Sequence, residues 1–295
     1  MKPILTFLCS LLLVCPGFAK DKQPNVVVLL ADDLGYRDIG CYGGPVKTPV
    51  LDKLAAGGVR FTDFHSGAPV CSPSRATFLT GRNHIRAGVY SVLNEQRHRM
   101  HLLRSETTLA EVLKDAGYGT AHFGKWHLGM PVNNRDNPTP AEHGFDYWFG
   151  IPYSNDMDWN LPDGLENRTA YFEPEIDYWQ VPLIRNETEF ERPTDQTTLT
   201  RRYTEEAVAF IEANRDGPFL LYLPHSMPHV PLFASDEFRE QSTAGIYGDV
   251  IEEIDWSVGQ VLAALDRNGL AEDTLVIFTS DNGPWLNFGN HAGST

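Results

Sequence analysis

The chain alternates two apolar patterns. Asn25-Val26-Val27-Val28-Leu29-Leu30 is an unbroken β-branched and aliphatic run with no polar face, as expected of a central strand covered on both sides. Thr48 to Arg60 instead sets Leu51, Leu54 and Ala55 on one helical face behind Pro49, a residue that suits a first turn. Thr108-x-x-Glu111 is a capping box that opens a further helix, closed at Gly117, and Tyr118 to Phe123 reads as a second strand. A helix follows over Thr197 to Arg215, with Leu199, Tyr203, Phe210 and Ile211 inward, then a strand over Pro218 to Leu223. The longest helix spans Ile246 to Arg267, with apolar residues at Ile251, Ile254, Val258, Val261, Leu262 and Leu265, and Thr274 to Thr279 is a fourth strand. Strands separated by helices predict an α/β fold, a large and mostly parallel sheet flanked by helices.

Between Pro131 and Pro193 this rhythm stops. Prolines, asparagines, aromatic and acidic residues crowd together, which predicts long loops and short hairpins over one face of the sheet. Excursions of this kind commonly shape a binding site.

Met1-Lys2-Pro3, the apolar run Ile4 to Val14 and Gly17-Phe18-Ala19 predict an export signal cut after Ala19, leaving residues 20–295 as one large domain. The run is too short to span a bilayer, so no stable membrane insertion is expected. Cys9 and Cys15 would leave with the signal, and Cys15 is alternatively a lipidation site. Cys41 and Cys71 then remain, too few for a disulfide framework, and Cys41 is expected as a small buried hydrophobe. A net charge of -15 over 295 residues argues against nucleic acid as a partner. It still allows an anionic substrate where cations gather locally. Asn167-Arg168-Thr169 and Asn186-Glu187-Thr188 are glycosylation sequons.

Polar residues placed on this frame change the picture. The four apolar runs lead, at their carboxyl sides, to Asp32-Asp33, to Lys125 with His127, to His229, and to Asp281-Asn282. In open α/β sheets ligands bind beyond the carboxyl ends of the strands, so the four clusters are expected to converge. Each alone is also an ordinary turn, cap or surface charge. Together, Asp32, Asp33, Asp281 and the amide oxygen of Asn282 form a hard oxygen set that points to Ca²⁺ or Mg²⁺ rather than Zn²⁺. Pro73 suits the first turn of a helix, which places Cys71 just before a helix start, where free amides and the dipole favour an anion.

The run Val70-Cys71-Ser72-Pro73-Ser74-Arg75-Ala76-Thr77-Phe78-Leu79-Thr80-Gly81-Arg82 resembles the signature of the type I sulfatases. Ala31-Asp32-Asp33, Gly124-Lys125-Trp126-His127-Leu128-Gly129 and Ser280-Asp281-Asn282-Gly283 appear in that family's order, closest to the arylsulfatase A and N-acetylgalactosamine-6-sulfatase branch. The resemblance implies an alkaline-phosphatase-like sulfatase fold. It also implies conversion of Cys71 to formylglycine by a maturing enzyme, and Ca²⁺ at Asp32, Asp33, Cys71, Asp281 and Asn282. The implied reaction is hydrolysis of a sulfate monoester, a sulfated glycan or an aryl sulfate. In that scheme Cys71 carries the nucleophile, Arg75 holds it, His127 takes its proton, Lys125 and His229 neutralise the sulfate, His229 protonates the leaving alcohol, and Ser154 hydrogen-bonds the sulfate. The family places another sulfate-binding lysine and a smaller C-terminal domain beyond the point where this sequence stops, which implies a C-terminally incomplete catalytic domain. Phosphate or phosphonate ester hydrolysis, and an inactive fragment or sulfated-glycan binding module, are the alternatives.

Overall fold

The computed structural model describes residues 23–94, 100–130 and 136–291. The expected export signal, with Cys9 and Cys15, lies outside the described residues. Seven strands form one mixed sheet in the order β5-β4-β3-β2-β6-β1-β7. They are β1 (Asn25–Ala31), β2 (Gly119–Phe123), β3 (Tyr147–Gly150), β4 (Leu183–Arg185), β5 (Thr188–Glu191), β6 (Phe219–Pro224) and β7 (Thr274–Ser280). β3, β2, β6, β1 and β7 run parallel, and the β4–β5 hairpin adds an antiparallel edge.

The central strands are buried along nearly their whole length, β6 throughout, as continuous apolar runs demand. β7 follows a different rule. It pairs with β1 alone, and its residues are only partly covered, with Leu275 open to solvent.

Among the described residues six α-helices accompany the sheet: α1 (Pro49–Gly57), α2 (Cys71–Thr80), α3 (Leu109–Asp115), α4 (Asn167–Phe172), α5 (Leu199–Ala213) and α6 (Gly245–Arg267). α1 stops at Gly57 rather than running to Arg60, because the Gly57-Gly58 pair ends it. The expected capping box of α3 is present: Glu111 N donates to Thr108 Oγ1 at 3.2 Å, and Thr108 N donates to Glu111 Oε2 at 2.8 Å. α5 turns Leu199, Tyr203, Ala207 and Ile211 inward, and a hydroxyl pair, Thr204 and Ser257 at 2.6 Å, ties it to α6. Among the described residues no helix is long and apolar enough to cross a membrane.

Two expectations need correction. The 131–193 stretch contains the expected hairpin but also β3, which joins the parallel sheet beside β2, and the short α4. β3 is four residues of Tyr-Trp-Phe-Gly, too short for a period to show, so strand-favouring aromatic residues were its sole signal. Cys41 is half-buried rather than sealed in the core.

Candidate active site

The ends of the parallel strands come together because glycine lets them. Gly124 follows β2 at φ +138°, and a Cβ there would lie 1.8 Å from the Pro224 carbonyl oxygen at the end of β6. The chain then turns so that Lys125 N donates to that carbonyl at 2.8 Å, and Lys125, Trp126 and His127 enter the space beyond the sheet. Beside it, β1 delivers Asp32 and Asp33, and Asp281 follows β7 with its amide on the Ala31 carbonyl at 3.0 Å. Asp33 has a φ of +65°, uncommon for a residue other than glycine, and its amide donates to Asp281 Oδ1 at 3.2 Å.

The carboxylates of Asp32, Asp33 and Asp281 are all buried and offer oxygens within 4.8 Å of one another. Asn282 completes the group by donating from Nδ2 to Asp33 Oδ1 at 2.5 Å. Two buried acceptors here, Asp32 Oδ1 and Asn282 Oδ1, lack a hydrogen-bond partner among the described residues. Buried lone pairs without a donor are costly, and a hard cation is the group that satisfies them. The cluster therefore fits a Ca²⁺ or Mg²⁺ ion. Burial, and then repulsion from Asp32, push Asp281 up to about 6; burial, partly offset by His229, raises Asp33.

Two fixed cations oppose this charge. Arg75, on the second turn of α2, donates from Nε to Asp281 Oδ2 at 2.9 Å and from Nη1 to the Lys125 carbonyl at 2.6 Å, while Nη2 lies 3.5 Å from Asp32 Oδ2. Lys125 Nζ donates to Asp32 Oδ2 at 2.5 Å and to Ser154 Oγ at 3.1 Å. Although burial disfavours a charged Arg75 or Lys125, the facing carboxylates hold both protonated. Three carboxylates against two cations leave the group one negative charge in excess. A divalent ion would reverse that sign, and the pocket would then attract an anion.

Cys71 is the first residue of α2, rather than the residue before it, with Val70 as N-cap. Its side chain is 5% exposed, yet it faces the polar cluster, with Sγ 3.3 Å from His127 Nδ1. The other nitrogen of His127, Nε2, lies 2.9 Å from the Leu93 carbonyl, which can only accept. That contact places the proton on Nε2 and leaves Nδ1 bare toward Cys71. Burial, then Lys125, hold His127 well below the ordinary histidine range, so it is neutral at neutral pH. Burial pushes the Cys71 thiol up to about 12, with Asp32, Asp281 and Asp33 adding to it against Lys125.

His229 is pushed the other way. Its Nδ1 donates to the Val230 carbonyl at 2.6 Å, and Nε2 faces Ser154 Oγ at 3.3 Å and Asp33 Oδ2 at 3.7 Å. Burial and Lys125 disfavour its cation, but Asp33, Asp156 and Asp32 outweigh them and raise it. The site thus holds one histidine kept as a base and one disposed to be an acid.

Asp32, Asp33, Cys71, Arg75, Lys125, His127, Ser154, His229, Asp281 and Asn282, every residue expected from the sequence, lie in this one connected cluster. Sequence reasoning passed over Ser74, whose Oγ donates to the Asp281 carbonyl, although it stands inside the Cys71 run. It also passed over the Leu93 carbonyl that fixes His127, and no side-chain pattern could have revealed a backbone acceptor. Trp285, its ring centroid 6.0 Å from that of His229, was missed as well. A separate cleft of about 430 Å³, lined in part by Phe172, Arg239 and His291, shares no residue with the cluster.

Comparison with known proteins agrees with this geometry. The sulfatase family model matches residues 24–294. Human (Homo sapiens) arylsulfatase A is 41% identical over 285 residues, covering 93% of this chain and 55% of that protein. N-acetylgalactosamine-6-sulfatase of Mus musculus is 40% identical over 299 residues, covering 96% and 54%. Among solved structures, Ps i-CgsB in complex with k-i-k-neocarrahexaose superposes with a TM-score of 0.75 at 30% identity, covering 91% of this chain and 60% of the other. The chain spans about half the length of the curated relatives it matches. A match along almost all of its own length, over a sheet whose strand ends bring three buried carboxylates together, establishes that the chain belongs to the sulfatase family.

Proposed function

We propose that this protein hydrolyses a sulfate monoester at the strand-end cluster, on a sulfated glycan or an aryl sulfate. Residues 20–295 are read as the catalytic domain and residues 1–19 as an export signal. The observation that carries the reading is Cys71 Sγ set 3.3 Å from the bare Nδ1 of His127, beside three buried carboxylates and two buried cations.

As encoded, Cys71 is a poor nucleophile. A thiol pushed up to about 12 stays protonated near neutral pH, and it is the thiolate that reacts. The proposal therefore includes conversion of Cys71 to formylglycine by a maturing enzyme, and Ca²⁺ held by Asp32, Asp33, Asp281 and Asn282 with position 71. Formylglycine, as its hydrate, would supply a nucleophilic hydroxyl at position 71, and the ion would supply positive charge for the sulfate oxygens.

The chain's own residues supply the rest. His127 Nδ1 accepts a proton from the group at position 71, while the Leu93 carbonyl keeps the ring in the required tautomer. Arg75 clamps Asp32 and Asp281, so the carboxylates cannot separate. Lys125 Nζ and Ser154 Oγ, 3.1 Å apart, present donors for sulfate oxygens. His229, once protonated, donates from Nε2 to the departing alcohol oxygen, because its Nδ1 proton is engaged by Val230.

The test joins mass spectrometry of the tryptic peptide around Cys71 to parallel assays with an aryl sulfate and an aryl phosphate. A peptide that has lost sulfur and gained an aldehyde, with sulfate released preferentially, is the expected result. Preferential phosphate release would make the protein a phosphatase or phosphonate hydrolase instead. An unmodified cysteine, sulfated sugar retained and no turnover would make it a binding module.

A further inference from the structure

We propose that Trp285 selects, among sulfate esters, those whose alcohol carries a ring beside the ester oxygen, by stacking that ring on its exposed indole; this rests on the sulfatase reading above. Trp285 follows Asp281-Asn282-Gly283-Pro284 directly, so the segment that places two cluster residues also places the indole. Its ring lies beside His229, the group disposed to protonate the leaving alcohol, with centroids 6.0 Å apart and planes at 57°. The indole is 41% exposed, although the imidazole beside it is buried. An open aromatic surface therefore stands beside His229 at the edge of the cluster.

That surface is backed in depth. Phe288 meets Trp285 edge-on at 4.8 Å, and Tyr171 lies 4.9 Å behind Phe288. Tyr171 in turn contacts Trp179 at 5.1 Å and Trp159 at 6.1 Å. Two polar tips of this wall are tied back onto one loop: Trp159 Nε1 donates to the Asp156 carbonyl at 2.5 Å, and Tyr171 Oη to Asp156 Oδ2 at 2.9 Å. With those tips engaged, the wall backs the indole with hydrocarbon. Stacking needs a rigid platform, since an aromatic pair gains little if the ring must first be ordered. Packing has already ordered this one. The matching chemistry is a flat apolar ring face, either an arene or the C–H face of a pyranose. A flexible alkyl chain has none to offer.

The experiment uses the full chain produced with a formylglycine-generating enzyme, as wild type, Trp285→Ala and Trp285→Phe. KM and kcat are measured on phenyl sulfate, a methyl pyranoside 6-sulfate and hexyl sulfate. Trp285→Ala is expected to raise KM about tenfold on the ring-bearing esters, the worth of one stacking contact. kcat should stay within about twofold, hexyl sulfate should be unaffected, and Trp285→Phe should restore most of the loss. A change confined to phenyl sulfate identifies an arene as the stacked group, and one confined to the pyranoside identifies a sugar. An equal loss on all three esters, or none on the ring-bearing pair, overturns the stacking role while leaving the sulfatase reading intact. A matured wild type that turns over none of the three overturns both.

Discussion

The strand ends and the 131–193 excursion contribute to the same pocket by opposite means. Asp32, Asp33, Lys125, His127 and Asp281 stand one to four residues beyond parallel strands whose neighbours are buried, so their positions follow from the sheet. The excursion contributes Ser154 and the aromatic residues Trp159, Tyr171 and Trp179, held by turns, a four-residue strand and ring contacts. Buried like-charged groups must be held rigidly, or they move apart and take in water. The rings of the excursion instead pack behind Trp285 by way of Phe288. The charged groups thus stand at the strand ends, with Trp285 on the segment after β7, while the insertion supplies the packing behind that ring.

The sharpest way to break this division is at Cys71. Cys71→Ala is expected to reduce sulfate release to background, because among the described residues no other nucleophilic group stands on His127 Nδ1. Appreciable release by that variant would move the chemistry off the strand ends. Next comes Asp281, which takes Arg75 Nε and the Asp33 amide as well as facing the other two carboxylates. Asp281→Ala should weaken Ca²⁺ binding by about 100-fold or more, read by calorimetry on metal-stripped protein. Unchanged affinity would place the ion elsewhere.

The same contrast decides how much the sequence revealed. The parallel strands and long helices announced themselves through uninterrupted or periodic apolar runs, and the charged groups at their ends followed from the rule that ligands bind there. The convergence of Asp32 with Asp281, about 250 positions apart in sequence, was legible because each follows its own strand. β3 and α4 were not legible, since four and six residues complete too little of any period. The Trp285 wall was not legible either. It assembles from two distant segments by ring packing, which leaves no spacing to read.

A smaller effect tests whether the sheet interior is as dry as this division requires. His122, on β2, is fully buried among Trp126, Phe145 and Tyr222. Burial, and then Arg75, lower it to about 3. A folded-state value below the unfolded one gives stability that is present above about 6.5 and is lost as pH falls toward 3, because the unfolded chain binds the proton first. By pH 4 this linkage costs roughly 3 kcal/mol. His122→Phe keeps a ring among rings and removes the proton site, so urea midpoints should fall less between pH 7 and pH 4 than in wild type. Part of the slope should persist, since His225 is buried and lowered to about 3 as well. An identical slope in the variant would mean that the sheet interior is wet at His122.

The smallest effect is expected at Ser154, where the excursion reaches the charged cluster. Its Oγ accepts from Lys125 Nζ at 3.1 Å and lies 3.3 Å from His229 Nε2, so it joins the two regions without bearing charge. One neutral hydroxyl contributes about 1 kcal/mol, so Ser154→Ala should cost up to about tenfold in kcat/KM. Lys125 keeps its ion pair with Asp32 in that variant, and Ca²⁺ affinity should hold at the wild-type value. A loss as large as that from removing a strand-end group would mean that the excursion takes part in the chemistry. A loss appearing in KM alone would confine Ser154 to holding the substrate, which is the role the division assigns to it.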